Sequence, residues 1–340
     1  MKFAPTLLAG AVLALVAPAS ALAQDPTLPT TPQQPPPTTP APPTTPPPAP
    51  APAEGKGSIG VAGGISEGGH TYVAAGQRVR LGGRVKPAVA GQKIIVELFR
   101  GSKKVDRKIA TLSEQGNFAL IFRVKAKGKY IVKARHKSTA ELTRFTFKRL
   151  GFEALGGGVG PGSGKLKISL VQDGLARLGF VTSRGGHWDA ALGRAVLAFR
   201  KTNRMARNSS VSKQVFSLLL SGHGGFALKY PNAGHHVEAD LGRQVLVLAD
   251  KGKVERIYHM SSGKPSTPTV VGSFRFYRKQ PGTNAKGMVF SSYFIRGYAI
   301  HGYHEVPNYN ASHGCLRVPI PNAVSIYNWV RLGDQIFVYR

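Results

Sequence analysis

Cysteine is almost missing from this sequence: Cys315 is the only one in 340 residues. An internal disulfide is therefore excluded. Acidic residues are scarce as well, 16 Asp and Glu against 46 Lys and Arg, which leaves a formal charge of +30. A balance so basic favours anionic partners, meaning nucleic acid, acidic lipid or anionic wall polymer. The apolar stretch Leu7 to Val16 is too short to span a bilayer and carries no stop-transfer flank, so no stable transmembrane span is expected.

The residues around that short run read as an export signal. Lys2 supplies the positive start, Leu7 to Val16 the apolar segment, and Ala21-Leu22-Ala23 a small-x-small cleavage site. No cysteine follows the cleavage site, which argues against lipid anchoring. The expected location is secreted and extracytoplasmic, in the cell wall or periplasmic space, and this removes nucleic acid from the partners. A single cysteine in an exported chain is either a buried, inert thiol or a free reactive one. Composition leaves both open.

The expected fold class is multidomain and mainly β. A signal peptide (1–23) is followed by a Pro/Thr/Ala-rich linker (24–58), an immunoglobulin-like β-sandwich (59–150) and a Gly-rich linker (151–164). A three-helix module (165–224) and a β-rich C-terminal domain (225–340) complete the chain. The Pro/Thr/Ala stretch cannot build a core and reads as extended polyproline II. At ~3.1 Å per residue it reaches on the order of 90 Å.

From Ile59 to Arg149 apolar residues recur with period two, as in Ile94/Val96/Leu98, Phe118/Leu120/Phe122/Val124 and Tyr130/Val132/Ala134. Turn-forming breaks such as Gly101-Ser102 and Gln115-Gly116-Asn117 separate the runs. Short alternating strands at this spacing predict a small antiparallel sandwich, which resembles bacterial immunoglobulin-like modules. Its outward Arg and Lys residues form either a face for anionic polymer or an ordinary soluble surface.

Gly162-Ser163-Gly164-Lys165-Leu166 only imitates a phosphate loop. Val159 stands where the first glycine is required and Leu166 where a Ser or Thr would hold magnesium. Helical spacing then takes over, with stripes at Val171/Leu175/Leu178, Leu192/Val196/Phe199 and Val215/Leu218/Leu219. Together with Gln172, Gly179-Phe180 and Ala195, these residues resemble the three-helix peptidoglycan-binding module. The resemblance implies wall binding; the stripes by themselves require only a small helical core.

Strand patterns return from Leu228, with a helix expected at Pro321 to Val330 and a last strand at Gln335 to Tyr339. Within this region stand Tyr298-Ala299-Ile300-His301-Gly302 and Ser312-His313-Gly314-Cys315-Leu316-Arg317. A free thiol is only slightly ionised at neutral pH, and an imidazole beside it raises its reactivity and carries a proton to the leaving amine. His301 and His313 both qualify on spacing. Gly314 has no side chain, which leaves the backbone N–H groups of Gly314 and Cys315 open to a tetrahedral oxyanion. Arg317 suits a substrate carboxylate or a brace for the loop. Arg278 to Gly287 reads as a lid over the site or as a plain hairpin.

Zinc on His301, His304, His313 and Cys315 fits no metalloprotease spacing. Ser261-x-x-Lys264 lacks the partner motifs of serine penicillin-binding proteins.

The segment 228–340 resembles the YkuD-type L,D-transpeptidase catalytic domain. The match runs through Ser261-Ser262-Gly263, Thr267-Pro268, Gly272-Ser273-Phe274, Met288, Tyr293-Phe294, Gly297 to Gly302, Ser312 to Arg317 and Gly333-Asp334-Gln335-Ile336. The resemblance implies Cys315 as nucleophile, His301 as general base and proton donor, and Gly302 as the carbonyl that orients His301. It gives His313 a supporting place, and Arg317, Ser312 and Tyr293 the substrate side. It further implies peptidoglycan stem peptides as donor and acceptor, 3→3 cross-links, and no metal or organic cofactor. A carboxypeptidase or hydrolase using the same Cys-His pair and a non-catalytic wall-binding protein are the alternatives. One departure, the insertion at Thr267 to Gly272, is expected to lie in a strand connection and not to threaten the chemistry.

Overall fold

The computed structural model describes residues 49–340. The signal peptide and most of the Pro/Thr/Ala linker lie outside the described residues. That linker ends earlier than the sequence pattern suggested. Ala53 already exchanges backbone bonds with Glu141 and Thr143 (both 2.9 Å), and the first strand is Lys56–Ala62.

Alternating apolar residues put Val79, Leu81, Ile94, Val96, Phe122 and Val132 into one core, with basic neighbours facing out. Two sheets enclose it. One has three strands, with Arg78–Lys86 between Lys56–Ala62 and Asn117–Arg123. The other is larger and centres on Lys93–Arg100 and Gly128–His136. The sandwich differs from its sequence reading in two ways. Leu150–Leu155, read as the start of a Gly-rich linker, is a strand with Phe152 and Ala154 buried. It also runs parallel to His70–Ala74, so the sheet is mixed rather than purely antiparallel.

Three helices follow: α1 (Lys165–Arg177), α2 (Ala190–Thr202) and α3 (Lys213–Leu220). The Asp189 carboxylate caps α2 by accepting the Leu192 N–H at 2.8 Å, and the Ser212 hydroxyl caps α3 in the same way at Val215. Their apolar stripes meet around Leu175, Val196, Phe199 and Leu219. The same cluster takes in Ile65 and Tyr72 on one side and Val245, Val247 and Ile257 on the other. Backbone bonds reinforce this contact, from Ile257 N–H to Gly179 O (2.8 Å) and from Val181 N–H to Ile257 O (3.2 Å).

The C-terminal region has two sheets around a second core. Val245–Asp250, His236–Asp240 and Gln335–Tyr339 are the inner strands of a five-stranded sheet. The four-stranded sheet runs in the order Arg278–Thr283, Val289–Ile295, Tyr298–Tyr303, Leu316–Pro319. Helix α4 (Ile320–Trp329) buries Ala323 and Ile326 against it. Gly302 permits that approach, because a Cβ there would stand 2.8 Å from the Ala323 Cβ. Among the described residues, no helix is long and apolar enough to cross a membrane.

Candidate active site

Two neighbouring strands set the spacing of the reactive groups. Tyr298–Tyr303 and Leu316–Pro319 run parallel, with His301 opposite Arg317. Side chains two apart on a strand share a face, so His301, Tyr303 and Arg317 project together, and Cys315 enters just ahead of the second strand. Ile300, Leu316 and Val318 alternate with them and point into the core. His301, Arg317 and Cys315, with Ser312 and His313, line one cavity of about 340 Å³.

His301 is almost fully buried, and its Nδ1 lies 2.9 Å from the Gly302 carbonyl. A carbonyl only accepts, so Nδ1 carries the proton and Nε2 keeps its lone pair. Burial pushes the imidazole pKa down to about 4; the Gly302 bond opposes this shift and the Arg317 charge adds to it. His301 is thus a neutral base at physiological pH. His313 stands exposed at the cavity rim.

Cys315 is partly buried, and burial pushes its thiol pKa up, against a hydrogen bond from the Ala299 backbone and the charges of Arg317 and Lys286. The thiol contacts the Gly297 carbonyl at 3.6 Å. The pair at rest is therefore neutral thiol and neutral imidazole, and the nucleophile has to be generated by proton transfer during attack.

The loop before Cys315 is held by side-chain to backbone bonds. Ser312 Oγ accepts the Gly314 N–H (3.0 Å) and donates to the Cys315 carbonyl (2.6 Å). This corrects the sequence expectation for Gly314: its N–H is taken by Ser312 and is not free for an oxyanion. The Cys315 N–H has no acceptor among the described residues. Gly314 itself adopts φ +116°, and a Cβ on it would run into the Tyr298 ring.

The insertion at Thr267 to Gly272 lies between the strands Lys253–His259 and Gly272–Arg275 and braces the loop that precedes Cys315. Thr267 Oγ1 donates to the Ser312 carbonyl (3.1 Å), and the buried Thr269 Oγ1 donates to the Gly314 carbonyl (2.8 Å) while accepting the Gly263 N–H (2.9 Å). In a trans peptide the C=O and the following N–H point in opposite directions. Thr269 therefore holds the Gly314–Cys315 peptide with the Cys315 N–H turned away from it. Its nearest loop partner lies 45 residues on, a distance at which sequence offers no signal.

The Arg317 guanidinium stacks over the Tyr303 ring at 4.1 Å, and the Tyr303 ring meets His301 edge-on at 5.7 Å. No carboxylate pairs with Arg317 among the described residues. Its charge is left for whatever enters the cavity.

Tyr293, placed on the substrate side by sequence, does not line the cavity. It is buried with Met288 and Ala299 behind Cys315, and its hydroxyl donates to Gln280 Oε1 at 2.9 Å. Arg278 to Gly287 is a strand and turn paired with Val289–Ile295, and its end delivers Lys286 to the cavity wall. Tyr303 and Lys286 were missed. Tyr303 was readable as the next same-face residue after His301; Lys286 carried no signal. Ser261 is structural, donating to the Tyr309 carbonyl at 2.6 Å. Among the described residues, no three His, Cys, Asp or Glu side chains gather as a metal set.

Residues 234–338 match the family model of the YkuD L,D-transpeptidase catalytic domain. Residues 234–338 are an L,D-transpeptidase catalytic domain. Among solved structures, the chain is similar to an L,D-transpeptidase (residues 123-326) from Xylanimonas cellulosilytica. The identity is 28% and the TM-score 0.51, over 54% of this chain and 98% of that one. Also similar are the catalytic domain of the Enterococcus faecium L,D-transpeptidase (26% identity, TM-score 0.28, 32% of this chain and 98% of that one) and an L,D-transpeptidase from Mycobacterium smegmatis (14%, 0.29, 83% and 99%). No curated protein matches this chain. In the transpeptidase domain, the strand pair that carries His301 and Arg317 lies wholly within the matched residues.

Proposed function

We propose that this protein is an exported cell-wall L,D-transpeptidase that forms 3→3 cross-links between peptidoglycan stems. The observation that carries the reading is the His301 Nδ1–Gly302 carbonyl bond, which leaves Nε2 basic in the cavity that also holds Cys315 and Arg317. Export rests on the sequence of residues 1–23, and the charge of +30 supports contact with anionic wall polymers.

In this scheme Arg317 binds the terminal carboxylate of a stem tetrapeptide. Cys315 Sγ attacks the carbonyl carbon of the third residue as His301 Nε2 takes the thiol proton. The Cys315 N–H donates to the oxyanion. The intermediate collapses, the C–N bond to the terminal D-alanine breaks, and the imidazolium returns the proton to the departing amine. A side-chain amine of a neighbouring stem then attacks the thioester and loses its proton to His301; the new amide forms and the thiol is restored. Ser312 and Thr269 keep the loop in the geometry these steps require. His313, at the rim, takes a supporting place.

The test is intact-mass analysis after incubation with a tetrapeptide muropeptide or a carbapenem, followed by product analysis. A covalent adduct on Cys315 and a cross-linked dimer are expected, and Cys315→Ala gives neither. Full cross-linking by Cys315→Ala would refute the scheme. Free tripeptide without dimer would assign the site to a carboxypeptidase, and no adduct at all would assign the chain to wall binding without catalysis.

A further inference from the structure

A second cavity, of about 620 Å³, opens between the end of helix α2 and the first two strands of the transpeptidase domain. Arg204, Arg207, Lys229, Arg243 and Arg340 line it. The one lining side-chain carboxylate, Asp240, is already committed: it accepts the Arg243 backbone N–H at 2.7 Å and pairs with the Arg243 guanidinium at 2.9 Å. No carboxylate pairs with Arg204, Arg207 or Lys229 among the described residues.

Three of these cations, Arg207, Lys229 and Arg243, are held in place by the protein. Arg207 donates to the Asn308 carbonyl (3.1 Å) and the Gly242 carbonyl (2.9 Å), and Asn308 donates back to the Arg207 carbonyl (2.6 Å). The Lys229 ammonium lies 4.4 Å over the Tyr339 ring and the Arg243 guanidinium 5.4 Å over Phe226. Cations gathered in one concavity repel each other and focus the local field. A multiply charged acceptor relieves that repulsion.

We propose that this cavity binds a phosphodiester polymer, the anionic class found in cell walls. Guanidinium groups pair with phosphate oxygens bidentately. The cavity is much larger than one phosphate, and Arg204, Lys229 and Arg340 are exposed at its edge, which suits a run of several phosphates. The site is distinct from the Cys315 cavity; no residue lines both. The choice of polymer rests on the cell-wall location proposed above and not on the cross-linking scheme.

Binding of the full chain to an oligo(glycerol phosphate), measured by titration calorimetry at several salt concentrations, tests the proposal. Polyglutamate of equal charge and phosphatidylglycerol vesicles serve as comparison probes. Arg204 and Lys229 are exposed, so the pair Arg204→Gln/Lys229→Gln leaves the fold intact. That pair is expected to weaken binding at least tenfold and to make the logarithmic salt dependence shallower by about one for each contact removed. A control pair in the exposed basic cleft of the N-terminal β module, Lys103→Gln/Lys125→Gln, leaves binding unchanged. Equal losses from the two pairs, equal affinity for polyglutamate, or binding to vesicles alone would each overturn it.

Discussion

The side-chain nitrogen of Lys201, on helix α2, lies 2.7 Å from Nδ1 of His259 in the transpeptidase domain. Lys201 is buried to 2% exposure and also donates to the carbonyls of Met260 (3.1 Å) and Gln244 (3.3 Å). His259 passes the contact on through Nε2 to the Val306 carbonyl at 2.9 Å. Burial, with the Arg207 charge, pushes the Lys201 pKa down to about 6, and burial with the Lys201 charge pushes His259 down to about 3. The helical module is thus joined by a buried polar chain to the segment that leads into Ser312.

That burial sets a pH dependence. Between about pH 6 and the ordinary lysine range, the unfolded chain binds a proton at Lys201 that the native state does not, so native stability rises with pH across this window. His259 and His301, lowered to about 3 and about 4 in the native state, add a gain of the same sign that ends just above the ordinary histidine pKa, and Lys201→Met keeps both histidines. Thermal midpoints at pH 6.5 and 8 should show a larger gain for the wild type than for Lys201→Met. Equal gains in the two proteins would contradict the burial argument.

His301 gives the acylation rate its acid limb. The base must be unprotonated, and its native pKa is about 4, so acylation by a carbapenem should hold from neutral pH through 6.5 and fall only as pH drops toward 4. His301→Gln should lower the rate by about 10²–10⁴. A wild-type limb near 6.5 would place the base elsewhere.

Thr269 acts through the peptide it holds. Thr269→Val should lower kcat by on the order of tenfold to a hundredfold with little change in KM, because an oxyanion donor serves the transition state. Thr269→Ser keeps the hydroxyl and should recover most of the loss. A Ser variant as slow as the Val variant would show that the methyl group, not the hydrogen bond, matters.

Arg317→Lys separates charge from shape. The ammonium keeps the positive charge but loses the planar stack on Tyr303 and the two-pronged carboxylate contact. KM for a donor with a free terminal carboxylate should rise by roughly tenfold or more. For a donor amide lacking that carboxylate, wild type and variant should converge; a persistent gap would assign Arg317 to bracing the loop.

Much of the architecture was legible because burial imposes its period on sequence. Phe118, Phe122 and Val124 alternate as the strand alternates, and Leu192, Val196 and Phe199 follow one helix face. What escaped was set by partners far away in the chain. Leu150–Leu155 precedes a glycine run that masked it, and its parallel neighbour lies near residue 72. At the site, the residue types were readable but the peptide planes were not. Nothing in Ser312-His313-Gly314-Cys315 says that the Ser312 hydroxyl consumes the Gly314 N–H. Tyr293 was assigned to the substrate side by the family resemblance, but its ring packs behind Cys315 and does not line the cavity.

The cluster shared by α1, α2 and α3 with Val245, Val247 and Ile257 has a practical consequence. The segment recognisable by family, residues 234–338, is smaller than the compact unit that contains it, Pro50–Arg340. Cutting the chain at the family border would strip the cover from three apolar side chains and orphan His259 and the Asn308 backbone together. A fragment that begins ahead of Lys165 keeps those contacts and gives up the ones the helices make with Ile65 and Tyr72.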